Sequence, residues 1–188
     1  MPRGPRVQIA GGFFHVTTRG NRRQPIYHDE IDRERFLGLL ELVVKRLGWR
    51  CHAYCLMGNH YHCLVETPEK NLSTGMHLLN GIYAQWSNGR YDVEGHLFER
   101  RFYSVVIQSS YQLLATVRYL ALNPVEAGLC RTPQEWPWSS FRQAIGLQPR
   151  RRLLTLSTVL EQFAPSRLAA MSALRDFVLG ETELGLRG

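Results

Sequence analysis

The sequence predicts an α+β fold of the ferredoxin-like kind, an antiparallel sheet with helices on one face, followed by a short helical C-terminal appendage. Three observations predict it. Short β-branched and aromatic stretches with strand periodicity alternate with longer stretches whose apolar residues recur at helical spacing. The predicted segments follow the order β-α-β-β-α-β-α. Composition then shifts after Trp136-Pro137-Trp138-Ser139-Ser140, which divides the chain into a main domain over 1–145 and an appendage over 146–188.

Gly12-Phe13-Phe14-His15-Val16-Thr17-Thr18 is the first strand, rich in residues that fit a pleated, half-buried surface. An arginine-rich loop follows, Arg19 to Pro25. Asp29 is placed to cap a helix over about 30–47, whose buried stripe is Phe36, Leu39, Leu40, Val43, Val44 and Leu47. Gly48 stops it. Trp49 to Met57 and Tyr61 to Glu66 form a hairpin across the turn residues Gly58-Asn59, and Pro68 ends it. Asn71 or Ser73 caps a second helix that buries Met76, Leu79, Ile82, Tyr83 and Trp86 and ends at Asn88-Gly89. Phe102 to Ile107 is the fourth strand. Ser109 or Ser110 opens a third helix that halts at Pro124. In the appendage, Arg150-Arg151-Arg152 precedes two short helical patterns, about 153–163 and 166–179.

The chain has 188 residues, enough to bury a real core, and 44% of them are apolar. No apolar run reaches the roughly eighteen residues of a membrane span. The basic start Met1-Pro2-Arg3-Gly4-Pro5-Arg6 is not followed by an apolar signal core, which argues for a cytoplasmic protein. Lys and Arg number 23 against 16 acidic residues, a net charge of +7 carried mostly by arginine. Arginine forks suit phosphates, so a nucleic-acid partner leads. Cys51, Cys55, Cys63 and Cys130 lack paired knuckle spacing and read as buried thiols rather than a zinc site.

The run Met57-Gly58-Asn59-His60-Tyr61-His62-Cys63-Leu64-Val65-Glu66 carries the chemistry. Along a strand His60 and His62 share a face, with Cβ atoms about 6–7 Å apart, so two imidazoles can converge on one metal ion. Tyr119 and Asn123 lie four apart on the third helix and share a face away from the stripe of Leu113, Leu114, Val117 and Leu120. Two neutral imidazoles and an amide oxygen describe a divalent-ion site, and the phenol beside it describes a nucleophile for phosphoryl transfer. No residue declares itself as the base that activates the phenol. Glu66 shares the parity of the histidines and reads as a strand-end carboxylate or a backup ligand.

Four motifs in order resemble the IS200-like single-tyrosine transposases: Gly12 to Arg22, Ala53 to His62, Arg118-Tyr119-Leu120-Ala121-Leu122-Asn123-Pro124-Val125-Glu126-Ala127-Gly128-Leu129, and Trp138-Ser139-Ser140-Phe141. The resemblance spans about residues 5–145 and is greatest to the branch associated with repetitive extragenic palindromes (REP). It implies an HUH endonuclease fold and metal-dependent cleavage and rejoining of single-stranded DNA near hairpins, with Mg²⁺ or Mn²⁺ as the ion. It also implies a 5′-phosphotyrosine intermediate with a free 3′-hydroxyl. By position His60 and His62 match the histidine pair, Tyr119 the nucleophile, and Asn123 the amide ligand, where the family often carries the longer Gln.

Arg19, Arg22 and Arg23 form one DNA-binding cluster, and Arg100 and Arg101 a second, interleaved with Phe98, Phe102 and Tyr103. These are expected to flank the substrate groove. Arg150, Arg151, Arg152 and Arg167 are placed to grip a hairpin stem or to pack the appendage on the core. The reading favours a monomer over a dimer. Its rivals are a non-catalytic single-stranded nucleic-acid-binding protein, a metal-dependent phosphodiesterase in which water attacks, and an RNA-binding ferredoxin-like module.

Overall fold

A computed structural model of the chain describes residues 8–180. The basic Met1–Arg6 stretch and the last eight residues of the appendage lie outside the described residues. Four strands, β1 (Gly12–Arg19), β2 (Arg50–Leu56), β3 (His60–Thr67) and β4 (Tyr103–Ile107), form one antiparallel sheet in the order β2-β3-β1-β4. This is the ferredoxin-like strand order the sequence predicts.

α1 (Glu30–Leu47) and α2 (Leu72–Tyr91) pack together. They share the sheet face presented by Tyr61, whose ring meets Phe36 of α1 and whose hydroxyl donates to Asn80 Oδ1 of α2 at 2.6 Å. Asp29 caps α1 by accepting from the Asp32 amide, and Gly48 closes it at φ +67°, a conformation glycine adopts without Cβ strain. α2 runs past Asn88-Gly89 to Tyr91 because Arg90 bridges back to Asp29 and to the buried Asp32. Asn71 stands at the start of α2 but does not cap it. Its Oδ1 instead accepts from Trp49 Nε1 at 2.6 Å, and its Nδ2 donates to the Leu47 carbonyl.

α3 (Ser110–Glu126) lies on the opposite face, over β2 and β3, so the sheet is covered from both sides and not by helices on one face alone. Ser109 caps it, accepting from the Gln112 amide. Pro124 falls inside its last turn instead of halting it. Proline forfeits one bond to the preceding turn, and near a helix end that loss is small. The chain then closes through Ala127 N to Asn123 O at 3.0 Å and Leu129 N to Pro124 O at 2.9 Å.

α4 (Phe141–Ala144) closes the main domain, and the appendage contains α5 (Ser157–Leu160) and α6 (Arg167–Leu179), α5 being shorter than its pattern suggested. Its Leu154, Leu156, Val159, Leu174 and Phe177 join the same apolar core as the sheet. Thr155 N donates to Cys51 O at 2.8 Å, which ties this segment to β2. Arg151 forms a forked pair with Glu34 of α1 (2.5 and 2.9 Å), and Arg150 donates to the Leu154 carbonyl at 2.8 Å. Arg151 therefore holds the appendage against α1, while Arg150 braces a turn within the appendage.

Close packing of α2 on Trp49 yields a prediction. A Cβ at Gly75 would meet the Trp49 ring at 2.2 Å, whereas one at Gly81 on the same helix meets nothing within 4 Å. Gly75→Ala is expected to destabilise by about 1–3 kcal/mol. Gly81→Ala is expected to be neutral or to stabilise by up to about 1 kcal/mol through helix propensity. Urea midpoints of the two variants measure the contrast.

Candidate active site

Pairing of β1 with β3 sets the geometry. Arg19 stands opposite His60, and Thr17 opposite His62, with His15 on the same face two residues further along β1. The structure thus gathers three imidazoles where the sequence suggested two. His15 Nε2 and His62 Nδ1 are 2.9 Å apart, and the His60 and His62 ring centroids are 5.0 Å apart. From α3 the Tyr119 ring closes over them edge-on, with centroids 5.5 Å from His62 and 5.8 Å from His15. Asn123, one turn later and buried, lies beside His60.

Neighbours fix which nitrogen of each ring stays open. Asn59 Nδ2 donates to the Arg23 carbonyl at 2.9 Å, which turns its Oδ1 toward His60 Nδ1 at 2.7 Å. His60 must therefore donate through Nδ1 and keep the lone pair on Nε2. In His62 the Nδ1 is engaged by His15, while Nε2 is buried with no partner among the described residues. A buried polar nitrogen left unpaired costs about 1–3 kcal/mol. A ligand that accepts its lone pair removes that cost.

Electrostatics keep the rings neutral. Burial, with the nearby charges of His15, His60 and Arg19, holds the His62 pKa down to about 3. Burial and Arg19 also lower His60, and burial lowers His15. Neutral imidazoles are the form that binds metal ions. The set of His60, His62 and Asn123 therefore fits a divalent ion. Among the described residues no group of three or more His, Cys, Asp or Glu is arranged to hold one; Cys51, Cys55 and Cys63 are buried free thiols, and Cys130 is only half-buried. Glu66 is not a backup ligand. It is bound at the far end of β3 by Arg50 and by His52 Nε2 at 3.3 Å.

The arginine clusters converge on one end of the sheet. Gly20 bridges to Phe98, Asn21 N donates to Leu97 O at 2.8 Å, and Glu99 N donates to Arg19 O at 3.1 Å. Arg100 and Arg101 are exposed next to the loop bearing Arg19, Arg22 and Arg23. Gly20 permits this crossing, since a Cβ there would lie 2.2 Å from the Gln24 carbonyl oxygen. Two aromatics of the second cluster are not available for stacking: Phe102 is buried, and Phe98 packs against Tyr83. Tyr103 alone of the three is exposed.

Sequence reasoning missed His15 and Asn59. Asn59 could be read only as a turn residue, and His15 reaches the site through a β1–β3 register that strand alternation does not specify.

A family model described as "Transposase IS200 like" matches residues 10–123. Two curated proteins named as REP-associated tyrosine transposases are similar. One, from Haemophilus influenzae, is 25% identical over 146 residues, covering 72% of this chain and 82% of the relative. The other, from Escherichia coli K12, is 24% identical over 154 residues, covering 77% and 86%. A solved structure of a REP-associated tyrosine transposase bound to a REP hairpin shares the fold, with TM-score 0.67 and 20% identity, covering 83% of this chain and 90% of that one.

Two outcomes are expected of this geometry. His15→Ala, which removes the hydrogen-bond partner that orients His62, lowers Mn²⁺ affinity about 10- to 100-fold, and His15→Gln recovers part of it, as read by calorimetric titration. In metal-free buffer, His62 titrates near 6.5 unfolded but near 3 folded, so its contribution to stability is present above pH 6.5 and is lost as pH falls below it. Between pH 7 and 5 that loss is about 2 kcal/mol from His62 alone. Urea midpoints of the wild type fall accordingly, and His62→Gln shows a flatter dependence.

Proposed function

Because the chain belongs to the IS200-like transposases, we propose that it cuts and rejoins single-stranded DNA beside REP-type hairpins, with Tyr119 as nucleophile and His60, His62 and Asn123 as ligands of Mg²⁺ or Mn²⁺. The observation that carries this reading is the Tyr119 ring seated over His62 and His15 beside a buried His62 Nε2 that has no partner among the described residues. The names of the relatives and the hairpin in the matched structure support the substrate class.

When bound, the ion acts as a Lewis acid on the phosphodiester and neutralises charge that develops on its oxygens. The remaining work falls to the chain. The Tyr119 oxygen attacks phosphorus, a new P–O bond forms to the phenol, and the bond to the 3′-oxygen breaks. The leaving 3′-oxygen takes up a proton and becomes a hydroxyl, and the phosphate stays joined to its 5′-oxygen as a 5′-phosphotyrosine. Tyr119 is 42% exposed, so its proton can pass to water. Attack by a 3′-hydroxyl on the phosphotyrosine reverses the sequence and rejoins the strand without an external energy source. Arg19, Arg22, Arg23 and Arg101, which form no ion pair among the described residues, hold the phosphate backbone beside the site; Arg100 pairs with its neighbour Glu99.

A binding protein without turnover has no use for a buried imidazole nitrogen that lacks a partner, nor for a tyrosine held above it. In a hydrolase, water would replace Tyr119, and a single assay separates the two mechanisms.

End-labelled hairpin DNA is incubated with the protein and Mn²⁺ or chelator, then run on a denaturing gel. The expected result is a labelled protein band that requires the ion and falls below detection in Tyr119→Phe and His60→Ala. Cleavage that survives in Tyr119→Phe without an adduct would assign the chemistry to water.

A further inference from the structure

The sheet face that carries the histidines is covered unevenly. α3 packs over β2 and β3. On the β1–β4 half of the same face, Tyr103 is 63% exposed and Val105 42% exposed. Register places both against the site. Thr17 pairs with His62 on one side and with Tyr103 on the other, so His62, Thr17 and Tyr103 form one row across three strands. Two strand spacings of about 4.8 Å put the Tyr103 backbone about 10 Å from that of His62. In the next row His15 is flanked by Leu64 and Val105. Arg100 and Arg101 lie three and two residues before Tyr103, and Arg19 lies beyond Thr17 at the same end of the sheet.

We infer that this open half of the sheet is a stacking floor for the unpaired nucleotides next to the attacked phosphate, with Tyr103 as its principal ring. The inference rests on the reading of Tyr119 as a nucleophile for DNA, and it names where the flanking bases go. A phosphate held between Tyr119 and the histidines must have its neighbouring nucleotides within one or two strand spacings. Toward β2 and β3 that space is filled by α3, and toward β4 it is open. An exposed tyrosine offers a flat face at low entropic cost, and stacking on it tolerates any base. The arginines at one end supply complementary charge for the backbone that joins those bases. A second copy of the chain fits this surface less well, because the net charge of +7 and the arginine clusters would be brought together.

The test uses the full chain and a single-stranded oligonucleotide containing one 2-aminopurine, with wild type, Tyr103→Ala, Tyr103→Phe and Leu168→Ala, the last being an exposed position on α6. Wild type, Tyr103→Phe and Leu168→Ala are expected to bind alike and to quench the 2-aminopurine. Tyr103→Ala is expected to bind about 5- to 150-fold more weakly and to lose the quench. Equal affinity and equal quenching in Tyr103→Ala would overturn the inference. So would sedimentation showing a wild-type dimer that Tyr103→Ala dissociates, which would make the surface an interface between copies. The labelled-protein assay separates the two readings. An adduct in wild type with no effect of Tyr103→Ala on binding sinks the stacking floor alone. Quenching that depends on Tyr103, with no adduct in any metal, sinks the nucleophile alone.

Discussion

The pairing of β1 with β3 is the constraint on which the site depends. Their register sets Arg19 against His60 and Thr17 against His62, and it brings His15 within hydrogen-bond reach of the second histidine. Thr17 Oγ1 reinforces that register by donating to the Tyr61 carbonyl at 2.9 Å. A slip of one residue would exchange the faces of β3. His60 and His62 would then enter the apolar layer beneath α1 and α2, and Tyr61, one of the largest fully buried side chains, would be expelled from it. Core packing and site chemistry therefore select the same alignment. The alternation of histidine and tyrosine is at once a fold signal and a site signal.

The loops at the site end serve the same alignment. Asn59 is a turn residue by position, yet its amide links the Arg23 carbonyl to His60 and so determines which ring nitrogen faces outward. Arg22 and Arg23 both adopt positive φ, 51° and 62°, which is unfavourable for residues with a side chain. The contacts of Gly20, Asn21 and Asn59 with the surrounding backbone hold this strained turn in place.

Much of the fold was legible because each element carries its own local signal. α1 has a capping aspartate, an apolar stripe and a terminating glycine, and its observed ends agree with that pattern. The histidine pair, Tyr119 and Asn123 were readable from strand and helix periodicity, and the structure gathers them. What escaped was non-local. Asn71 resembled a cap but bonds to Trp49, a partner 22 residues earlier. Pro124 read as a stop, although a proline in a last turn sacrifices little. The arginines of the appendage read either as phosphate grips or as packing on the core, and only the fold shows that Arg151 takes the second course, pairing with Glu34 on α1, 117 residues away. The coverage of the sheet by α3 on the second face likewise depends on where a loop carries the chain, which periodicity does not record.

The appendage has a mechanical consequence for α3. That helix is packed against β2 and β3 on one side and against α6 on another, where the Arg118 guanidinium lies 5.6 Å from the Phe177 ring centre. With its backbone packed between two layers, the Tyr119 ring moves most cheaply by rotation about its two side-chain torsions. A ring on such a short lever sweeps only a few ångströms. On the proposed reading of Tyr119 as nucleophile, most of the distance between two exchanging DNA ends would be travelled by the nucleic acid, with the protein as an anvil.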